Sequence, residues 1–311
     1  MKKRKIILDC DPGHDDAIAI LLIGNNPMFD LLGITVESGN QTLEKTGRNA
    51  LNIAQYLGID VPVCLGATNP IIKDVEVCDA INGESGLDGF EFPKLKIGFD
   101  SRHAVNFMIE KILNSKEKVT IVTTGPMTNL ALAMRMEPRI LDNIEEVVLM
   151  GGSYQNGNVT PAAEFNIYCD PEAAHIVFSS QLKVTMVGLD VTRKVLVLPS
   201  VVERMEKVNN HASDMFTQLM NVFNINQKRV FGFEGAPLHD PVTIAYLIDP
   251  SLLEVKHVHC EIDIDHGFSY GRTNCDMFDY LGLPKNTYVA NRVDVDRFWD
   301  LVEEALKAYS K

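Results

Sequence analysis

The sequence predicts an α/β fold: an open, mostly parallel Rossmann-like sheet with helices on both faces and additional helices over the site. Three observations carry this. Apolar runs of strand length alternate with helix-period segments from residue 5 to residue 190, the pattern of a parallel sheet covered on both faces. The runs end in small or polar residues: Asp9-Cys10-Asp11, Glu37-Ser38-Gly39-Asn40, Thr123-Thr124-Gly125, Met150-Gly151-Gly152 and Gly188-Leu189-Asp190. Open parallel sheets bind ligands outside those carboxyl ends. Finally, 311 residues that are 46% hydrophobic and 23% charged have an ordinary globular balance and can bury a large core. Length alone allows one domain or two; with no linker, repeat or low-complexity tract, residues 1–311 are read as a single domain.

Taken in order, "KIILDC" is a buried strand and "DDAIAILLIG" a helix. "DLLGITVES" is a second strand, followed by a helix over 43–56 that stops at Gly58. "VPVCLG" is a third strand. A Gly-rich loop over 80–100 follows, long enough to expect a functional lid or a disordered segment. "SRHAVNFMIEKIL" is helical, with Ser101 as the expected cap. Then come "KVTIVTTG" (strand), "MTNLALAMRM" (helix), "IEEVVLMGG" (strand), "DPEAAHIVFSS" (helix) and "LKVTMVGLD" (strand). Residues 199–235 carry helix signals and form the expected helical layer or lid.

Net charge is −13, which repels a phosphate backbone and argues against a nucleic-acid partner. No apolar stretch reaches membrane-spanning length. Lys2 to Lys5 resemble the start of a signal peptide, but only Ile6, Ile7 and Leu8 follow before Asp9, so no apolar signal core is expected. The six cysteines show no CxxC pair and read as reduced thiols of a cytoplasmic protein.

Within "KIILDCDPGHDDAIAI", Asp9, Asp11, Asp15 and Asp16 crowd the turn from strand to helix. A helix N-terminus favours one or two acids; it does not account for acids ending an apolar strand. Crowded carboxylates raise one another's pKa or need a cation. All-oxygen ligands suit Ca2+ or Mg2+ rather than zinc. "KHVHCEIDIDHG" also gathers His257, His259, Glu261, Asp263 and Asp265, but their alternation with Val258, Cys260, Ile262 and Ile264 reads as the polar face of a half-buried strand. "GRTNCD", residues 271–276, has no mechanism on sequence grounds.

The motif "DCDPGHDDAIAI" resembles the N-terminal signature of the inosine–uridine-preferring nucleoside hydrolases. The similarity continues through "GITVESGNQTLEKT", "TTGPMTNLALAM", "VLMGGSYQNGNVTPAAEFNIYCDPEAA", "GLDVT" and "PLHDPV", so it spans nearly the whole chain in order. Within that family the pattern is most similar to the bacterial pyrimidine-preferring members. The resemblance implies hydrolysis of the N-glycosidic bond of ribonucleosides with one Ca2+ per subunit. Its ligands would be Asp11, Asp16, Asp240 and the backbone carbonyl of Thr124. Asp11 would also be the general base. Asp15 and Asn40 would hold the ribose diol, Met150 would lie under the sugar, and Asn158, Glu164 and Asn166 would contact it further along. His239 would protonate the leaving base, and Gln227, on the helical layer, would contact that base. Asn82 stands where many relatives have a histidine, and Phe231 where a tyrosine is common, which leaves base preference open. A homotetramer is also implied.

Two rival readings use the same acids. A Mg2+-dependent phosphohydrolase can end its first strand in DxD, but it is usually followed by Gly-Thr or Gly-Val, not Pro12. A receiver-like acid pocket belongs to much shorter domains, without "AEFN" and "LHDP".

Overall fold

The computed structural model describes residues 2–309. In chain order its strands and helices are β1 (Arg4–Cys10), α1 (His14–Gly24), β2 (Phe29–Val36), α2 (Leu43–Leu57), β3 (Val63–Leu65), α3 (Asp79–Asn82), α4 (Ala104–Asn114), β4 (Val119–Thr123), α5 (Thr128–Met136), β5 (Ile144–Met150), α6 (Phe165–Cys169), α7 (Pro171–Phe178), β6 (Val184–Val187) and α8 (Leu189–Thr192). The remainder is β7 (Leu196–Val197), α9 (Pro199–Glu206), α10 (His211–Phe231), β8 (Ala236–Pro237), α11 (Pro241–Ile248), β9 (Leu253–Val258), β10 (Cys260–Ile262), β11 (Thr273–Cys275), β12 (Thr287–Val293) and α12 (Val295–Lys307).

Eight strands form one sheet in the order β3-β2-β1-β4-β5-β6-β12-β9. Every neighbouring pair is parallel except the edge pair β12/β9. The order reverses between β1 and β4, the topological switch point where such sheets open a crevice. Asp9 lies opposite Thr35 on one side and Thr123 on the other. The polar ends of β1, β2 and β4 therefore meet at that crevice.

Two apolar layers sandwich the sheet. One joins α1, α2, α9 to α12 and the faces carrying Leu8, Val122 and Val148. The other joins α4, α5, α7 and the opposite faces, with Ile7, Ile121 and Val147. α1 is apolar on every side and is buried from His14 to Ile23, as a helix must be when it is covered all round. α2 ends as the sequence predicts, with Gly58 in the left-handed region at φ 68°.

Several expectations need correction. α4 begins at Ala104, capped by the His103 imidazole, which accepts from Val105 N–H at 3.3 Å. Ser101 is not the cap because Asp100 draws residues 100–102 into a turn, accepting from the Arg102 backbone at 2.9 Å and from its guanidinium. Of the two alternatives for the loop over 80–100, the disordered one does not hold, while Ile81 and Asn82 do line the cavity. Side chains of α2 and its approach pin the loop: the Gln41 amide donates to the Gly83 and Glu84 carbonyls, Asn49 to Ser85, and Gln55 to Lys94. The strand expected around 257–265 is divided into β9 and β10 and ends at Ile262: Val258, Cys260 and Ile262 are buried and His257 and Glu261 exposed, but Ile264, expected on the buried face, lies beyond the strand and is exposed.

Candidate active site

The cavity at the carboxyl end of the sheet holds about 400 Å3, within the size range of small-molecule sites. Its wall includes Asp15, Asn40, Asn82, Thr124, Met150, Asn158, Glu164, Asn166, Gln227, Phe231, His239 and Asp240. Segments from both halves of the chain thus converge as the sequence led one to expect.

The four N-terminal acids separate into two groups. Asp9 turns back into the sheet: its Oδ1 accepts from Thr35 Oγ1 at 2.7 Å and from Asn129 Nδ2 at 2.9 Å. Burial pushes it up to about 7. Asp15 and Asp16, in the first turn of α1, meet Asp240 at the start of α11, with one carboxylate oxygen of each within 4.8 Å of the others. Pro241 follows Asp240 at the first helical position, where a missing N–H costs nothing. Asp11 lies beside this group rather than inside it. Its Oδ2 accepts from the Asn40 N–H at 2.6 Å, while its Oδ1 is buried with no partner.

Burial raises Asp16, and burial with the neighbouring charge of Asp16 pushes Asp15 up to about 7. Burial together with the surrounding carboxylates also holds Asp11 and Asp240 well above the ordinary range. Such crowding is unfavourable without a proton or a cation. The donor set is all oxygen, Asp11 keeps an unpartnered oxygen and lies close enough for the charges of Asp16 and Asp15 to act on it, and the chemistry fits a hard divalent ion. The Thr124 hydroxyl donates to Asp16 Oδ1 at 2.7 Å, which brings the end of β4 to the acids, and its carbonyl accepts from Asn166 Nδ2 at 2.7 Å.

Asn40 is a brace in this structure. Its amide donates to the Asp11 carbonyl and to Asp16 Oδ2, and its Oδ1 accepts from Asn82. Asn166 also donates to the Met150 carbonyl at 3.1 Å, fixing the floor of the cavity. Glu164 caps α6. Its carboxylate accepts from the Asn166, Ile167 and Gly152 backbone N–H groups. Asn158 is exposed at the rim, accepting from Phe165 N–H.

At the other end, Gln227 is buried with an unpartnered Oε1, whereas Phe231 is exposed at the mouth. Asn82 is buried, against the backbone and ring of His14. His239 Nδ1 lies 2.7 Å from the Thr192 hydroxyl. Burial, with Arg193 nearby, lowers His239 to about 4. It is therefore neutral near pH 7 in the free protein, not poised at the ordinary histidine value.

The sequence model of the inosine-uridine preferring nucleoside hydrolases matches residues 6–300. The chain belongs to this family. It is 49% identical to the pyrimidine-specific ribonucleoside hydrolases RihB of Escherichia coli and Shigella sonnei, over 100% of this chain and 99% of each relative. Among solved structures it is similar to a purine-preferring ribonucleoside hydrolase from Gardnerella vaginalis, with TM-score 0.92 and 34% identity over 98% of this chain and 99% of that one. A plant nucleoside hydrolase, PpNRh1, matches with TM-score 0.91 and 30% identity over 99% and 100%.

In this nucleoside hydrolase, three side chains near the site escaped the sequence reading. His14 stacks on Phe223 at 5.2 Å, and its Nε2 donates to the Asp88 carbonyl at 2.7 Å, tying the 82–88 segment to α1. Thr192 sets one side of His239. Arg193 lines the cavity and donates to the Asn156 and Gly157 carbonyls, holding the loop before Asn158. His14 and Thr192 stood inside the motifs "DCDPGHDDAIAI" and "GLDVT", so their positions were the available signal; Arg193 depends on long-range contacts. No described helix is long and apolar enough to cross a membrane.

Proposed function

We propose that this nucleoside hydrolase acts on pyrimidine ribonucleosides, uridine and cytidine, using one Ca2+ per chain and releasing free base and ribose. The observation that carries the reading is the buried Asp15/Asp16/Asp240 group with the unpartnered Asp11 oxygen beside it at the sheet's switch point. Full-length relatives named as pyrimidine-specific support the base preference.

Asp11, Asp16, Asp240 and the Thr124 carbonyl would hold the ion. When bound, it supplies positive charge that lowers the pKa of a nearby water and attracts the ribose diol. Asp11 takes the water's proton as general base. Asp15 and Asn40 orient the diol, Met150 lies under the ring, and Asn158, Glu164 and Asn166 meet the rest of the sugar. The water oxygen bonds to C1′ as the C1′–N bond breaks, through an oxocarbenium-like state. Negative charge growing on the departing base favours uptake of a proton from solvent by His239, which starts neutral; the imidazolium so formed gives that proton to the base nitrogen as the C1′–N bond opens and returns to the neutral form. Asn82, Gln227 and Phe231 face the base. We also read the chain as one domain, homotetrameric and cytoplasmic, with no nucleic-acid or membrane partner; its six free cysteines suit a reducing compartment.

A panel of uridine, cytidine, inosine, uridine 5′-monophosphate and nitrophenyl phosphate tests this. The pyrimidine nucleosides should give the highest kcat/KM and nitrophenyl phosphate none. The monophosphate should be poor, because its charge would meet Glu164. Equal turnover of uridine and its monophosphate would mean that Arg193 receives the phosphate and that the sugar end is misassigned. Phosphate release without base release would favour the phosphohydrolase reading.

A further inference from the structure

The hairpin of β10 and β11 places Cys260 directly opposite Cys275, with the sulfurs 3.2 Å apart. Backbone bonds join residues 259 and 276 on one side of this pair and 263 and 272 further along. In an antiparallel ladder the two kinds of pair alternate, so 260/275 is a pair without ladder bonds. Facing Cα atoms there are about 4.5 Å apart, inside the span of about 4.4–6.8 Å that a disulfide bridges. Cys260 is buried and Cys275 half-exposed, on an open groove with Met277 and Tyr280. The other four cysteines have no such partner among the described residues.

We propose that Cys260 and Cys275 are a reversible redox site, closing to a disulfide when the protein meets a peroxide and reopening with a dithiol. Its bond to Cys275 and burial keep Cys260 a thiol, and because Cys275 reaches the surface while Cys260 does not, Cys275 is the first to meet the peroxide. The Cys275 thiolate attacks one peroxide oxygen; the O–O bond breaks, and hydroxide takes a proton and leaves as water. The resulting sulfenic acid sits against Cys260. The Cys260 sulfur then attacks the Cys275 sulfur, the S–O bond breaks, and the departing hydroxide carries off the Cys260 proton as a second water. One peroxide is reduced for each pair of thiols oxidised.

The staple would have a mechanical consequence. Between the cysteines, Thr273 exchanges hydrogen bonds with the Ser153 backbone at 2.6 and 2.9 Å, and Ser153 begins the loop that leads to Asn158. The otherwise unexplained "GRTNCD" segment thus supplies both a loop anchor and half of a thiol pair.

The test uses the full-length protein treated with hydrogen peroxide, then denatured, alkylated and mapped by mass spectrometry. The expected product has lost two hydrogens, carries a Cys260–Cys275 cross-linked peptide, and returns to the starting mass with dithiothreitol. Amide exchange over 260–276 should be slower in the oxidised protein. Cys275→Ser should give no cross-link, and Cys260→Ser should stop at a sulfenic acid on Cys275 that a dimedone probe traps. Six free thiols after treatment, direct oxidation of Cys275 to sulfinic acid in the unmutated chain, or a cross-link between other cysteines would overturn the proposal.

Discussion

Asp9 and Asp11 stand two positions apart on one strand end and do different work. Each keeps one buried oxygen without a partner, but Asp9 is held inside the sheet through Oδ1 by Thr35 and Asn129, while Asp11 is held through Oδ2 by the Asn40 N–H, beside the acids of α1. Asp240→Asn removes one of the proposed ligands. We expect loss of bound calcium and a fall in kcat of at least about 10²-fold, the lower end for losing a main catalytic contribution, read by elemental analysis alongside uridine turnover. Asn40→Ala tests the brace. Removing a group that orients metal ligands typically costs about 10- to 100-fold in affinity, so calcium titration should show that loss even where the fold is intact. For His239→Ala, kcat on uridine should drop about 10²- to 10⁴-fold. The loss should be much smaller on nitrophenyl riboside, whose leaving group needs no proton; equal losses would take His239 out of that role.

At the scale of elements, the sheet strands and the longer helices to residue 187 were legible because each apolar run ends in small or polar residues; the short helices α3, α6 and α8 were not, and α8 takes Leu189 and Asp190 from the strand expected there. Asp9-Cys10-Asp11 and Thr123-Thr124-Gly125 mark two such ends, and the structure puts them side by side. The α4 cap was not legible, since Asp100 makes a competing turn that local preference cannot rank. Nor could sequence show that the long loop is pinned, because Gln41 before α2 and Asn49 and Gln55 on it look like ordinary polar surface residues until the fold brings residues 83–94 over them. The acidic character of the cluster was legible as residue types; that Asp15 rather than Asp11 sits in the tight group with Asp16 and Asp240 was not, because α1 and α11 meet only in three dimensions. Across the cavity, α10 holds α3: Asn226 donates to the Ile81 carbonyl at 2.9 Å and Arg229 to Ala80 at 3.0 Å. Asn226→Ala frees the turn that carries Asn82. We expect KM for uridine to rise severalfold with kcat changed less, because the turn positions the base rather than the reacting bond. A change confined to kcat would contradict this.

For the whole molecule, the same reversal of strand order that opens the crevice forces buried acids together. That places a cost on the folded state which a cation held by Asp15, Asp16 and Asp240 would offset. An ion that binds the native state alone stabilises it by about 2.7 kcal/mol at a hundred times its Kd. Thermal unfolding should therefore move upward with calcium, and Asp240→Asn should abolish the shift. The most direct measurement strips the protein with a chelator, then titrates Ca2+ while following uracil and ribose release from uridine on the same samples. The account predicts negligible turnover in the stripped protein, binding that saturates at one ion per chain, and activity that rises in step with it. Full uridine hydrolysis by protein shown to be metal-free would contradict it.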